Sequence, residues 1–205
     1  MKSKKNQRKQ NRRLQIIDAA IKVIAEYGYH SAKMTNIAAA AGVADGTIYN
    51  YFESKEQVLI CIFEEKMTDL IALAKEQLQA CDHPRAKVQS FVRNHFEHLK
   101  ANPELGKVFQ VELRQSQKFF HGYRPKKLFE YLDLLGDAIR EGQAKGIFRS
   151  NIDSMVLQWS IFGTLDELSI NWVMSAQQWP PNLDEIPNQV LEIFLLGIES
   201  PVENE

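Results

Sequence analysis

Cysteine is nearly absent from this chain of 205 residues: only Cys61 and Cys81 occur. On one helix, rising about 1.5 Å per residue, two side chains so far apart in sequence stand roughly 30 Å from each other. A disulfide needs Cα atoms within about 7 Å, so the pair is expected as two free thiols, and two thiols alone make no zinc site. Ten glycines and seven prolines are too few for a collagenous or low-complexity chain. No apolar run approaches the roughly 18 residues of a membrane helix. Asp18, Lys22 and Glu26 interrupt the segment after the basic start, so a secretory core is not expected there, and a cytoplasmic location without membrane attachment is. Missing too are the P-loop, G-x-S-x-G, H-E-x-x-H and C-x-x-C motifs, so no catalytic residues are assigned. His95 and His98 flank Glu97 but lack an obvious third ligand, so neither a metal nor a cofactor is expected.

What is present is enough apolar material for a core: 44% hydrophobic residues, 10% aromatic, with 25% charged. The net charge of −1 hides a division. Residues 1–55 carry ten lysines and arginines against four acids, and the remainder carries fifteen against twenty-two. A basic head on an acidic body favours a polyanion partner, and Lys5, Arg8, Lys9 and Arg12 lead that head. Residues 1–9 read as a flexible basic arm.

Strand alternation is missing, while helical periodicity runs throughout. Leu14, Ile17, Ala20, Ile21 and Ile24 form one stripe, stopped by Gly28. Ser54 and Gln57 form a capping box that opens a long helix reaching Leu78. Pro84 and Pro103 sit at the starts of two further helices, the second capped by Asn102. Residues 119–125 break the pattern. Helices follow at about Lys126–Lys145, from Asp153 to about Met174, and at roughly Asp184–Ile198. The expected fold class is all-α, with nine helices and no sheet.

Residues 34–53 carry the functional motif. Two short helices crossing steeply need a small residue at the contact, which Ala38 supplies. The turn between them needs a backbone of positive φ, which Gly42 takes at little cost. Ile48 returns an apolar side chain to the core. This is helix-turn-helix spacing, whose second helix enters the major groove of double-stranded DNA. Thr35 is expected to cap the first helix and hold a phosphate. With Ile48 and Phe52 pinned inward, Thr47 and Asn50 face outward to read base edges. Tyr49 and Tyr51 suit phosphates, although either could instead join the core. Lys55 is expected as a phosphate clamp, with a merely solvated lysine as the alternative.

From Leu14 to Phe63 the chain resembles the DNA-binding domain of TetR-family transcriptional repressors. The marks are Ile16–Ala20, Thr35-x-Ile37-Ala38, Ala41-Gly42-Val43, Gly46-Thr47-Ile48-Tyr49-x-Tyr51-Phe52 and Lys55-Glu56. Residues 42–49, 112–116, 161–167 and 172–174 narrow the resemblance to the fatty-acid-degradation repressors of Bacillus and relatives within that family. It implies a three-helix DNA-binding head, a six-helix ligand-binding body and a homodimer. The narrower resemblance implies a long-chain fatty acyl-CoA as effector and fatty-acid-degradation genes as targets. The domains are expected at 10–53 (helix-turn-helix at 34–53) and 54–199, with a tail at 200–205.

The body's own residues bear on this. The last two helices are apolar over more than one face, which a two-fold partner would cover. Phe91, Phe109, Trp159 and Phe162, interleaved with the polar His95, Arg114 and Asn171, suit a pocket for an amphipathic lipid. Arg124, Lys126 and Lys127 are a basic cluster able to receive its phosphates. Two other readings stay open. Asp166 and Glu167 in an aromatic pocket would favour a hydrophobic cation, as in multidrug sensing. A helical lipid carrier would use the basic head on membranes, against which the Ala38–Gly42–Ile48 spacing argues.

Overall fold

A computed structural model describes residues 2–113, 123–176, 178, 179 and 182–199. Among the described residues there are nine α-helices, one π-helical turn and no β-strand. The helices are α1 (Lys2–Tyr27), α2 (Met34–Ala40), α3 (Asp45–Ile48), α4 (Lys55–Gln79), α5 (Pro84–Ala101), α6 (Pro103–Lys107), α7 (Lys126–Ala144), α8 (Ser154–Met174) and α9 (Ile186–Ile198). The π turn, Val108–Glu112, follows α6 directly. No helix of the described residues is long and apolar enough to cross a membrane. Both cysteines are free thiols.

The chain forms two compact units, Met1–Lys66 with Glu104–Arg124, and Met67–Pro103 with Pro125–Glu205. This differs from the expected boundary at residue 54. The reason is packing: Val108 is fully buried, Phe109 lies 5.5 Å from the Phe63 ring, and Lys107 Nζ donates to the Ala25 carbonyl. All of these groups lie in the first unit.

In the first unit α1 buries Ile16, Ile17, Ala20 and Ile24. Leu14, expected on the same stripe, is instead 37% exposed. Residues 2–9, expected as a flexible arm, continue α1 as helix. Lys2–Tyr27 holds no proline or glycine, and its lysines, arginines and glutamines are good helix formers, so nothing stops the helix before Gly28 at φ +78°. α2 ends in a Schellman motif: Gly42, at φ +63°, donates to the Ala39 carbonyl while Val43 donates to that of Ala38. Ile48 and Phe52 are buried, as the spacing predicts. At the start of α4 the Gln57 N–H donates to Ser54 Oγ, 3.2 Å, and Gln57 Oε1 accepts from the N–H of Glu53 rather than from Ser54.

In the second unit α7 packs on α5 and α8, and α9 packs on α5. The core holds Val88, Phe91, Leu132, Leu135, Ile139, Phe148, Ile161 and Leu165. Phe148 fills the space at Gly142, where a Cβ would stand 2.1 Å from its ring. Asp153 caps α8 by accepting from the N–H groups of Met155 and Val156. Asn102, expected to cap α6, uses its side-chain amide at the end of α5, donating to the His98 carbonyl. That carbonyl also accepts the backbone N–H of Asn102 at 3.0 Å, so the amide takes its second lone pair.

Candidate nucleic-acid interface and effector site

The first unit places the sequence-expected DNA residues on neighbouring surfaces. Arg8, Lys9 and Arg12 border one open concavity of that unit, and Tyr51 borders it too. The arm therefore meets the end of the recognition segment. Asn6, Asn11 and Gln15 line the same surface and escaped the sequence reading. Their spacing was a usable sign: Asn11 and Gln15, like Arg8 and Arg12, are four residues apart and share a helix face.

The recognition helix is a single turn. Only Asp45–Ile48 is α-helical, and Asn50 and Tyr51 continue it as tight turns, donating to the carbonyls of Thr47 and Ile48. Such a segment holds its shape only through tertiary anchors, here Ile48 and Phe52. Asn50 is exposed, Thr47 half-buried. Tyr49 is 55% exposed and Tyr51 half-buried, so neither joins the core. Thr35 is the second residue of α2, not its cap. Lys33 takes the extended capping conformation and offers no side-chain bond. The helical ladder already starts at the Lys33 carbonyl, bonded by Ile37, which places Thr35 inside the first turn with its side chain exposed.

Lys55 is a correction. Its ammonium donates to three carbonyls, those of Tyr29, His30 (3.0 Å) and Ala32 (2.8 Å), and stands 4.6 Å from the centroid of the Tyr29 ring. An ammonium has three protons, so no donor is left for a phosphate. Burial lowers its pKa below the ordinary lysine value. Lys55 closes the loop between α1 and α2 instead. Arg13 of the basic leader is likewise structural: it pairs with Glu65, and its guanidinium lies 5.6 Å from the Phe52 centroid. Burial works against its charge, but Glu65 and Cys61 outweigh that and raise its pKa. The side chain of Lys5 lies outside what is described.

The second unit brings four of the expected effector residues into one aromatic series. The exposed Trp159 ring lies 6.1 Å from Phe162, and Phe162 lies 6.3 Å from His95. His95 in turn meets Tyr131, whose ring is 4.6 Å from the buried Phe91. His95 faces two hydroxyls, Tyr131 OH at 3.4 Å from Nδ1 and Ser169 Oγ at 3.1 Å from Nε2. Burial is the main cause that lowers its pKa to about 4, with His98 adding to the shift and Asp166 opposing it. Burial also pushes the Tyr131 phenol above its ordinary value. Tyr131 and Ser169 were not singled out from the sequence; they lie on helices far from His95 in the chain, and no short spacing joins them.

Asn171 is tied to its own helix, donating at 2.8 Å to both the carbonyl and the carboxylate of Glu167. Lys127 pairs with Glu130 at 2.8 Å, which removes it from the expected phosphate cluster as a free cation. Glu130 also receives Lys75, and both lysines lower its pKa. Lys126 is exposed, with no ion-pair partner among the described residues. Phe109 and Arg124 belong to the first unit, Phe109 against Phe63 and Arg124 exposed. Arg114 lies outside the described residues. No group of three potential metal ligands occurs among the described residues.

Residues 16–61 match the model of bacterial regulatory proteins of the tetR family, and residues 63–197 match that of the YsiA-like protein, C-terminal region. The chain is 39% identical over 187 residues to the fatty acid metabolism regulator protein of Bacillus subtilis, covering 91% of this chain and 95% of that one. It is also similar to two solved structures. One is the fatty acid degradation regulator FadR of Bacillus halodurans, with TM-score 0.80 and 42% identity over 89% of this chain and 97% of that one. The other is the transcriptional regulator FadR of Bacillus subtilis in complex with stearoyl-CoA, with TM-score 0.84 and 39% identity over 91% and 99%. Both halves of the chain thus match along nearly their whole length, and the head carries the helix-turn-helix and its basic border: the chain belongs to the TetR family of DNA-binding transcriptional regulators and is not an enzyme.

Proposed function

We propose that this protein is a homodimeric repressor of fatty-acid-degradation genes, released from its operator by a long-chain fatty acyl-CoA. The observation that carries the reading is the near full-length similarity to a regulator solved with stearoyl-CoA. The aromatic series from Trp159 to Phe91 supports it, because an acyl chain needs an apolar lining with few polar groups. In this reading Lys126 of the second unit receives the phosphates of the CoA, and Arg124 and Arg114 stay candidates from the sequence alone.

On DNA, Arg8, Lys9, Arg12 and Tyr51 bind phosphates, and Thr47 and Asn50 read base edges. Lys5, Thr35 and Tyr49 complete the proposed contact set. Two heads joined by α8 and α9 reach successive major grooves about one turn, roughly 34 Å, apart. The dimer is supported by apolar side chains left exposed on those helices: Met155, Val156 and Met174 on α8, Ile193 and Leu196 on α9. Helix α4 runs from the first unit into the second and is the covalent route for coupling. A hundredfold release needs about 2.7 kcal/mol of differential affinity between the two states.

The test is fluorescence anisotropy of the full chain on fragments upstream of fatty-acid-degradation genes at fixed salt, with palmitoyl-CoA, free palmitate or a cationic dye. Release by palmitoyl-CoA alone is the expected result. DNA binding that ignores the acyl-CoA removes the lipid effector and keeps the repressor. Binding without sequence preference, to anionic vesicles as well as DNA, removes the repressor.

A further inference from the structure

Three uncharged polar groups meet inside the second unit: the His95 imidazole, the Tyr131 phenol and the Ser169 hydroxyl. Tyr131 is 2% exposed and Ser169 fully buried, with Phe162, Phe96 and Phe91 around the cluster. Burying polar groups among aromatic rings is unfavourable unless their hydrogen bonds are made.

Counting protons shows that they are not all made. Burial keeps His95 neutral at pH 7, so the ring has one N–H and one bare nitrogen. In one tautomer Nε2–H donates to Ser169 Oγ while the Tyr131 hydroxyl donates to Nδ1, and the Ser169 proton is left over. In the other, Nδ1–H donates to Tyr131, Ser169 donates to Nε2, and the Tyr131 proton is left over. Either way the cluster has three donors and two internal bonds. Ser169 and Tyr131 make no other hydrogen bond among the described residues, so one hydroxyl proton has no acceptor.

We propose that His95, Tyr131 and Ser169 form the subsite that receives the carbonyl oxygen of the effector's acyl thioester. The proposal rests on the acyl-CoA reading above and specifies which atom of the effector this cluster recognises. The missing partner is an acceptor, and the carbonyl oxygen is the acceptor that the acyl part of such a ligand carries. A neutral oxygen fits better than a carboxylate. Asp166 acts electrostatically on the same imidazole, and an ionised acid would have to shed its water beside that negative charge. His95 is here a positioning residue: it binds one hydroxyl and aims the proton of the other.

The test is calorimetric titration of the full chain with palmitoyl-CoA and with S-hexadecyl-CoA, the thioether in which a methylene replaces the carbonyl. Free palmitate is a third arm. The unmodified protein is expected to bind the thioester about tenfold more tightly than the thioether. In Tyr131→Phe or Ser169→Ala, whichever removes the hydroxyl carrying the surplus proton, the nearest remaining donor withdraws by roughly the 3.1–3.4 Å spacing of the cluster. That variant is expected to bind the two CoA ligands within about twofold of each other, with the thioether affinity unchanged. Equal affinities in the unmodified protein, a preference that survives in both variants, or a loss that hits both ligands alike overturns the proposal. So does palmitate binding as tightly as the thioester. If the unmodified protein binds neither CoA compound while still binding DNA, the acyl-CoA reading itself falls and takes the subsite with it.

Discussion

Lys55 shows how a single side chain's role follows from what surrounds its charge. Its ammonium satisfies three loop carbonyls between α1 and α2, groups that have no helical partner of their own. Lys55→Met keeps the stem and removes all three bonds, so the head is expected to lose about 2–3 kcal/mol, read as a lower urea midpoint with an unchanged slope. Operator affinity should fall only as far as the folded fraction does; a large loss of affinity in a fully folded variant would return Lys55 to the phosphate contacts. His95 makes a second prediction. Its folded pKa of about 4 lies below the ordinary 6.5, so the unfolded chain binds the proton more readily. Its contribution is therefore fully present above about pH 6.5 and is lost as pH falls from there toward 4, at most about 3 kcal/mol. Urea midpoints measured from pH 4 to 7 should fall less steeply toward acid in His95→Gln than in the unmodified protein. Neither role could be read from neighbouring residues. The carbonyls that hold Lys55 lie more than twenty positions away, and Tyr131 and Ser169 stand 36 and 74 positions from His95.

Elements are where local chemistry and packing meet. The turn after α2 was legible because its cause is local: Gly42 takes φ +63°, and Ala38 and Ile48 sit at fixed distances from it in sequence. The end of α2 was equally legible and the start was off by two residues, since Lys33 rather than Thr35 takes the capping conformation. Packing between elements is harder to foresee. Gly142 lies in the last turn of α7, a helical position where glycine is less favourable than alanine, because the Phe148 ring occupies the place of its Cβ. Gly142→Ala is therefore expected to destabilise by about 1–3 kcal/mol despite alanine's better helix propensity, and thermal unfolding checks this. Phe148→Leu in the same background should recover part of the loss. On the DNA side, Arg12→Ala should weaken binding to all sequences alike and reduce the salt slope by about 1. Asn50→Ala should relax sequence preference by about 1–3 kcal/mol at one position. Anisotropy titrations on matched and scrambled fragments at several salt concentrations separate the two. If both variants behave alike, the division of the head into backbone and base contacts is wrong.

For the whole molecule the decisive feature is the apolar surface that the single chain leaves uncovered. Ile193 and Leu196 are 70% and 72% exposed on one helix. They lie three positions apart, so they share a face. The charged double variant Ile193→Lys, Leu196→Lys is expected to give a folded monomer in sedimentation, with its helix content kept and operator affinity reduced at least tenfold. A dimer of unchanged stability would move the interface elsewhere. The same scale shows why residues 104–113 associate with the head: Val108, Phe109 and Lys107 find their partners there, through contacts with residues as far back as Ala25.

By itself the sequence determined the helical class, the helix-turn-helix, the separation of basic head from acidic body and the family. Each of these depends on periodicity, turn chemistry or composition, which act within a few residues or sum over many. Only the tertiary structure decided that Lys55 closes a loop, that Lys127 is paired, that residues 104–113 pack with the head, and that a histidine and two hydroxyls meet among aromatic rings. Those outcomes depend on which distant groups share a volume. A desolvated ammonium or hydroxyl takes its role from the partners folding brings to it, and no short spacing in the chain encodes them.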